Sequence, residues 1–574
     1  MSTFRVTLHT VFDSSAECEL SGACLDTGDP PAPAVVEYSG VTAVGDALFE
    51  DGARLGGELG LPPDAPDLLL AAAACRKWGG DATARLTGEY SFAAWDSRRR
   101  ELVCARDGLG IRPLYVGVAP GRIVVSNVLR DVLAAPGMDD ALDEGAMLTF
   151  LDAGASEDPA RTMYRAIRIL PAGHTLLFEA HGHRTRLFRH WMFPAPPELR
   201  VRDRREYPER YRAALSTAVR ERVRGRRASL LLSGGLDSAT IGAAAVHAGV
   251  SAGVRAFTAG YPTLLTTDEV PLARATATRL QMPMTSVTCD AGAPLGEPQS
   301  MARPLDEPML AGWRALVGAA AGHAPIVLHG EDGDSLFVPP GWPSMRAAAP
   351  AWRIAAAAAA FALGERRLPY LGLRLRERLG LVATVVTAEC SWLTPCARRA
   401  LAQLEPVHVL GHTPTPLGPH PTRPAAQARL GEMIWMQLAP AITEEATLAR
   451  AQLRYPLLDT RLIALVMSIP AIPWCQGKRL PRLAYRGTLP PAVLDRPKRA
   501  LAGMNEALVA AWRDRTPRWP PPLPPALDRW VDRARWHSTL ATGNSSDVMA
   551  AWRVLELGAW LEQGAPAGRR ACTR

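Results

Sequence analysis

The chain has only three lysines in 574 residues: Lys77, Lys478 and Lys498. Arginine supplies almost all the other positive charge. Arginine does not replace an amine that must titrate or act as a compact point charge, so each lysine becomes a candidate for chemistry. The nine cysteines form no CxxC pair and no Cys/His spacing suited to zinc. A structural zinc site is therefore excluded, and reduced, mostly buried thiols are expected. No apolar run is long enough to span a bilayer. The N-terminus alternates like a strand and is not a signal peptide, so a cytoplasmic location is expected. Gly-Lys-Ser/Thr is missing, which excludes an ordinary P-loop. A net charge of +8 and a pI near 9.2 would suit an acidic partner. The charge is spread as single arginines with one modest cluster, Arg220 to Arg227, so no nucleic-acid partner is expected.

What is present centres on Ser233-Gly-Gly-Leu-Asp-Ser238. Leu230, Leu231 and Leu232 before it read as a buried strand, and the alanine-rich stretch after it reads as a helix. A small-residue turn between a strand and a helix N-terminus is a ready anion cradle, with free backbone N–H groups and a favourable helix dipole. Gly234 and Gly235 let a phosphate approach the backbone. Asp237 repels a phosphate unless a cation such as Mg²⁺ lies between them.

Residues 1–195 read as a β-rich domain, with Gly88–Asp96, Glu101–Arg106 and Arg112–Val116 forming an antiparallel meander. A linker follows at 196–206. Residues 207–574 alternate strand and helix, with candidate parallel strands at Leu230, Val254–Thr258 and Pro325–His329, and then become largely helical. In such sheets ligands bind at the carboxyl ends of the strands.

The hexapeptide resembles the pyrophosphatase loop of ATP-pyrophosphatases, which cleave ATP between the α- and β-phosphates. Further segments resemble the asparagine synthetase superfamily. They are Gly88–Asp96, Ala105–Tyr115, Ile169–His174, Asp268-Glu269, Asp306–Pro308, Gly330–Phe337, Tyr455–Asp459 and Leu489–Arg499, in the family's order. The resemblance implies an α+β, glutaminase-like (Ntn-type) first domain. It also implies an α/β ATP-pyrophosphatase domain with a parallel sheet and a largely helical C-terminal part. Glutamine-dependent members carry a cysteine after the initiator methionine. Here that residue is Ser2, so a glutaminase fold without glutaminase chemistry is expected, and an amine other than glutamine-derived ammonia as nucleophile.

Two branches fit, beta-lactam synthetases and lasso peptide cyclases, and Gly330–Phe337 is more similar to the cyclases and to asparagine synthetases than to beta-lactam synthetases. The cyclase branch implies ATP and Mg²⁺ as cofactors. It implies a precursor core peptide as substrate, and a leader peptidase and a leader-recognition protein as partners. The peptide's Asp or Glu side chain is adenylated, and its own N-terminal amine closes a macrolactam. An ammonia-dependent asparagine-synthetase-like ligase stays open because of Glu331, and a catalytically silent peptide- or nucleotide-binding scaffold is the alternative of another class.

By resemblance, Ser233, Gly234, Gly235 and Ser238 hold the β- and γ-phosphates, with Leu236 and Asp237 completing the loop. Asp237 and Asp334 are the Mg²⁺ ligands, and Asp332 is a weaker candidate. Lys498 contacts the phosphates and stabilises acyl transfer. Glu331 orients or deprotonates the amine. Phe257 and Thr258, at the end of the second strand, touch adenine. Asp268 and Glu269 cap the next helix, Glu307 lines the site, Trp342 lines a peptide groove, and Lys478 faces solvent after a Gln-Gly turn.

Overall fold

The computed structural model describes residues 2–9, 17–24, 35–154, 156, 158–180, 184–265, 269–290, 302–366, 369, 390–431, 439–496, 504–515 and 519–562. Two antiparallel sheets face each other in the first part of the chain. One has strand order β2-β1-β8-β7-β9, formed by β1 (Ser2–His9), β2 (Glu17–Cys24), β7 (Tyr115–Ala119), β8 (Arg122–Ser126) and β9 (Ile167–Ile169). The other has order β11-β10-β6-β5-β4-β3. It is formed by β3 (Val35–Tyr38), β4 (Val41–Phe49), β5 (Gly88–Asp96), β6 (Glu101–Arg106), β10 (His174–Glu179) and β11 (Arg184–Arg189). Val6, Leu8, Val44, Ala93, Cys104, Val116, Val125 and Phe178 interdigitate between them. Tyr90, Phe92 and Ala94 point the other way, to α1 (Gly52–Leu59) and α2 (Asp67–Trp78). Both faces are covered, so β5 is buried almost throughout and carries apolar residues on both faces instead of alternating with exposed polar ones.

The expected meander is corrected here. β5 and β6 pair antiparallel, but β7 crosses to the facing sheet. Asp107 accepts N–H bonds from Leu109, Ile111 and Arg112 at 2.8–3.1 Å. The Arg106 guanidinium donates to the carbonyls of Gly110, Arg112 and Leu170 at 2.6–2.8 Å. This buried turn re-aims the chain, and no local propensity announces it.

The second part is built on a wholly parallel sheet of order β14-β13-β12-β15-β16. Its strands are β12 (Ala228–Leu231), β13 (Val254–Gly260), β14 (Met284–Thr288), β15 (Ile326–Leu328) and β16 (Gln452–Arg454). The three expected strands are present, and β14 and β16 join at the edges. Helices α5 (Glu206–Val223), α6 (Leu236–His247), α7 (Val270–Arg279) and α8 (Leu310–His323) cover it. Gly242 packs α6 on the sheet, since a Cβ there would stand 2.9 Å from Leu280 and 3.2 Å from Leu230. No described helix is long and apolar enough to cross a membrane.

Two features join the halves. One is an apolar layer in which α3 (Leu129–Leu133) and α4 (Glu144–Ala153) meet the C-terminal helices, centred on the stacked Trp512 and Trp552. The other is a buried ion cluster. Glu89 accepts from Arg112 at 3.1 Å, from Arg222 at 2.9 Å and from the Tyr455 N–H at 3.2 Å. Arg222 also bonds Asp459 at 2.9 Å and lies 3.6 Å from Glu50.

Glu50 titrates abnormally within this cluster. Burial, then the neighbouring Asp459 charge, push its carboxyl up to about 7, against the pull of Arg222 and Thr460. A raised folded-state pKa means Glu50 contributes stability that is fully present below the ordinary carboxyl range and is lost as pH rises through about 7. Glu50→Gln removes that titration. Calorimetric scans from pH 5 to 8 should therefore show wild type losing stability relative to the variant as pH rises. Parallel curves would contradict the assignment.

Candidate active site

The site lies at the carboxyl ends of β12, β13 and β15, where a doubly wound sheet leaves its crevice. Ser233–Gly235 turn directly into α6. Ser238 Oγ accepts from the Ser233 N–H at 3.1 Å and bonds Ser233 Oγ at 3.0 Å, and the Gly235 N–H donates to Ser233 Oγ at 3.1 Å. Two hydroxyls thus shape the turn around the start of α6. The turn after β15 lies against it: a Cβ on Gly330 would stand 2.9 Å from the Ser238 nitrogen. Only glycine permits that approach.

Two carboxylates converge beside this turn. Asp237 stands in the first turn of α6 and Asp334 in the first turn of α9 (Gly333–Leu336). Lys478 Nζ lies 2.5 Å from Asp237 Oδ2 and 2.6 Å from Asp334 Oδ1. The expectation that Lys478 faces solvent is corrected: its side chain is 13% exposed. It closes the turn Gln476–Lys478 with φ of +56°, a left-handed conformation rare for a side-chain-bearing residue. Such outliers cluster at functional sites. Asp332, at φ +62°, is a second one in the same site.

The two oxygens share one cation at hydrogen-bonding distance, and two hard-oxygen carboxylates are the donor set with which Mg²⁺ is held together with substrate phosphates; no cluster of three or more metal-ligating side chains occurs among the described residues. Asp332 is placed differently. Its side chain is buried and accepts from Ser335 Oγ at 2.7 Å, and burial pushes its carboxyl up to about 7. It braces α9.

Gly333 makes room for the carboxylate pair. A Cβ there would stand 2.4 Å from Asp237 Cγ and 2.5 Å from its Oδ1. Gly333→Ala should displace Asp237 and, if the expected ATP chemistry is run here, lower AMP formation by about 10²-fold, the scale of an ångström misplacement. Circular dichroism should stay native. Wild-type rates in the variant would contradict the placement.

Glu269 does not cap α7 through its side chain. It accepts instead from the Gly234 N–H at 3.3 Å and from Arg496 Nη1 at 3.0 Å, and Arg496 also reaches the Gly234 carbonyl at 3.3 Å. The sequence reading missed Arg496, two residues before Lys498. Lys498 and Asp268 lie outside the described residues.

Glu331 sits on the β15–α9 turn, half-exposed, 3.7 Å from His329 Nδ1. Burial holds that imidazole below its ordinary range despite the carboxylate. Glu307 lies near enough that the Asp306 and Glu331 charges add to burial in raising its carboxyl.

Phe257 and Thr258 do not end their strand, because β13 continues to Gly260. Phe257 is buried with its ring centroid 6.0 Å from that of His323 on α8, and its carbonyl accepts the Leu232 N–H at 2.8 Å. Its expected contact with adenine is therefore corrected: the ring is core. Thr258 Oγ1 is buried with no hydrogen-bond partner among the described residues. Leu236 is likewise core and offers the site only its backbone.

From Lys478 and Asp334 a cleft of about 1920 Å³ opens between α7 and the segment 475–495. Trp342, expected in a peptide groove, does not line it.

Comparison with known proteins agrees with this architecture. The asparagine synthase family model matches residues 210–562, and a glutamine amidotransferase domain model matches residues 66–191. A Mycobacterium bovis protein with the provisional name asparagine synthetase (glutamine-hydrolyzing) is 31% identical over 176 residues, which is 30% of this chain and 27% of that protein. Amidase chyE of Penicillium rubens is 28% identical over 302 residues, 49% of this chain and 44% of that one. The chain thus spans between about a quarter and under half the length of these relatives. Among solved structures, the glutamine phosphoribosylpyrophosphate amidotransferase of Bacillus subtilis aligns over 49% of this chain and 59% of its own, at 12% identity and a TM-score of 0.22.

Proposed function

The chain belongs to the asparagine synthase family, and from that premise we propose that it is an ATP-dependent, AMP-forming amide ligase that closes a macrolactam in a peptide precursor. The observation that carries the reading is the closure of Asp237 and Asp334 on the Lys478 ammonium beside the Ser233–Ser238 turn. Two acids and one lysine at the mouth of an anion cradle suit a phosphate chain. In this reading the turn binds the β- and γ-phosphates, and Asp237 and Asp334 hold Mg²⁺. The metal, when bound, neutralises charge developing on the departing pyrophosphate. A substrate carboxylate attacks the α-phosphorus, and an amine then displaces AMP from the acyl adenylate.

In this reading Glu331, half-exposed on the β15–α9 turn, receives the amine proton. Lys478 bridges the two carboxylates and lends its charge to the phosphates beside them. A separate leader peptidase and a leader-recognition protein belong to this proposal as partners.

Glu331 also supports a second reading, an ammonia- or amine-dependent ligase acting on a small carboxylate. Both are tested by incubating the enzyme with MgATP and either leaderless precursor-like peptides or aspartate plus ammonia. The cyclase reading expects a peptide product lighter by one water together with stoichiometric AMP. Asparagine formation without any peptide product would overturn it in favour of the second reading.

A further inference from the structure

The large cleft carries more positive charge than the phosphate turn requires. Helix α7 turns Pro271, Arg274, Ala275 and Thr278 toward it, an i, i+3, i+4, i+7 face, with Arg279 beside them. The opposite wall, directly after Lys478, contributes Arg479 and Arg482 from the helix Arg479–Ala484 and Arg486 just beyond its end. Asp334 and Asp495 are the acidic residues of the lining, and Lys478 already engages Asp334. Arg279 donates to the Gly487 carbonyl at 2.7 Å, and Arg482 to those of Gly477 at 2.7 Å and Arg496 at 2.9 Å. Backbone carbonyls fix these two guanidinium groups in place. Arg274 and Arg486 are exposed, and their guanidinium groups have no hydrogen-bond or ion-pair partner among the described residues.

The position of the cleft identifies its ligand. It begins at Asp334 and Lys478, where the phosphate turn ends. Thr258, His329, Glu331 and Glu307, which stand at or near the strand mouths, are absent from its lining. The cleft therefore opens from the phosphate side and not from the side where an acyl group and its amine would meet. An arginine fork binds phosphate oxygens in bidentate fashion, and a series of forks between α7 and the 479–486 wall gives an anion successive sites leading to solvent. We propose that this arginine-lined cleft binds inorganic pyrophosphate as it leaves and is its route of release. The inference rests on the adenylating reading and adds the product's path to it.

The test is calorimetric titration of the full chain with Mg²⁺-pyrophosphate and, separately, with MgATP. Wild type is compared with Arg274→Gln/Arg486→Gln, which leaves the carbonyl-held arginines in place. The expected result is pyrophosphate affinity about tenfold or more weaker, the scale of losing one charge-assisted contact. MgATP affinity stays within about twofold. Product inhibition by pyrophosphate should weaken in parallel. Equal loss for both ligands would make the arginines part of the nucleotide site and overturn the proposal, as would no change for either. A glutamate-rich peptide that displaces pyrophosphate from wild type but fails to bind the variant would reassign the cleft to substrate, which also overturns it. Wild type that binds neither MgATP nor pyrophosphate would instead remove the adenylating reading beneath it.

Discussion

Lys478→Met lowers the rate of AMP formation by about 10²- to 10³-fold, the cost of removing one preorganised charge from a developing phosphate or oxyanion. The methionine keeps the volume of the stem, so the loss reports charge. Without the ammonium, Asp237 and Asp334 lose the cation they share while their oxygens stay within reach of one point. Like charges at that separation demand a cation. The variant therefore has a second signature that needs no substrate: in the absence of nucleotide it binds Mn²⁺ more tightly than wild type, because lysine no longer competes for the same oxygens. Lys478→Arg does not restore the rate, since a planar fork does not place its charge where the compact ammonium sits. Turnover within about threefold of wild type in the methionine variant, with unchanged Mn²⁺ affinity, would show that Lys478 only ties two turns together.

Arg222→Met destabilises the protein by about 3 kcal/mol, because it removes the cation that Glu89, Asp459 and Glu50 share and leaves Glu89 to Arg112 and Asp459 to Arg461. Arg222 bonds Glu89 and Asp459 at 2.9 Å each, and these three side chains are at most 2% exposed. Glu50 lies beside them at 3.6 Å. The residues come from β4–β5, from α5 and from the turn after β16, so the cluster joins the two halves of the chain. The measurement is the midpoint of the first thermal or urea transition at pH 8, where Glu50 is ionised. Replacing the whole cluster by apolar residues of similar volume costs far less than removing the arginine alone, since no charge is then left unpaired. A destabilisation under about 1 kcal/mol in Arg222→Met would mean that solvent reaches the cluster and screens it.

Much of the second half was legible because its signals are local. Leu230–Leu232 followed by Ser-Gly-Gly reads as a strand, a turn and a helix start, and β12, the turn and α6 follow that order. The acidic residues at 237 and 334 follow different strands, and parallel topology brings them to one crevice. What escaped depends on distant contacts. Lys478 follows Gln-Gly, which reads as an exposed turn. Its burial comes from the salt bridges to Asp237 and Asp334, more than a hundred residues away in sequence. The scarcity of lysine is the available signal for it, and that signal marks Lys478 and Lys498 alike. Phe257 was placed at a strand end because the apolar run stops there, yet pairing with β14 carries β13 on to Gly260. Glu269 precedes a helix, and its acidic side chain suggested a cap. It turned instead to Gly234 and Arg496, which the intervening sequence does not announce.

The central claim is that Asp237, Asp334 and Lys478 form an ATP-splitting site. The most direct measurement is exchange of labelled pyrophosphate into ATP, with leaderless precursor-like peptides and, in parallel, aspartate as acyl donors. The account predicts exchange that depends on a carboxylate substrate and on Mg²⁺. It also predicts loss of exchange in Asp334→Asn and in Lys478→Met, with native circular dichroism. Substrate-dependent exchange that survives both substitutions would contradict it, because the chemistry would then lie elsewhere in the chain.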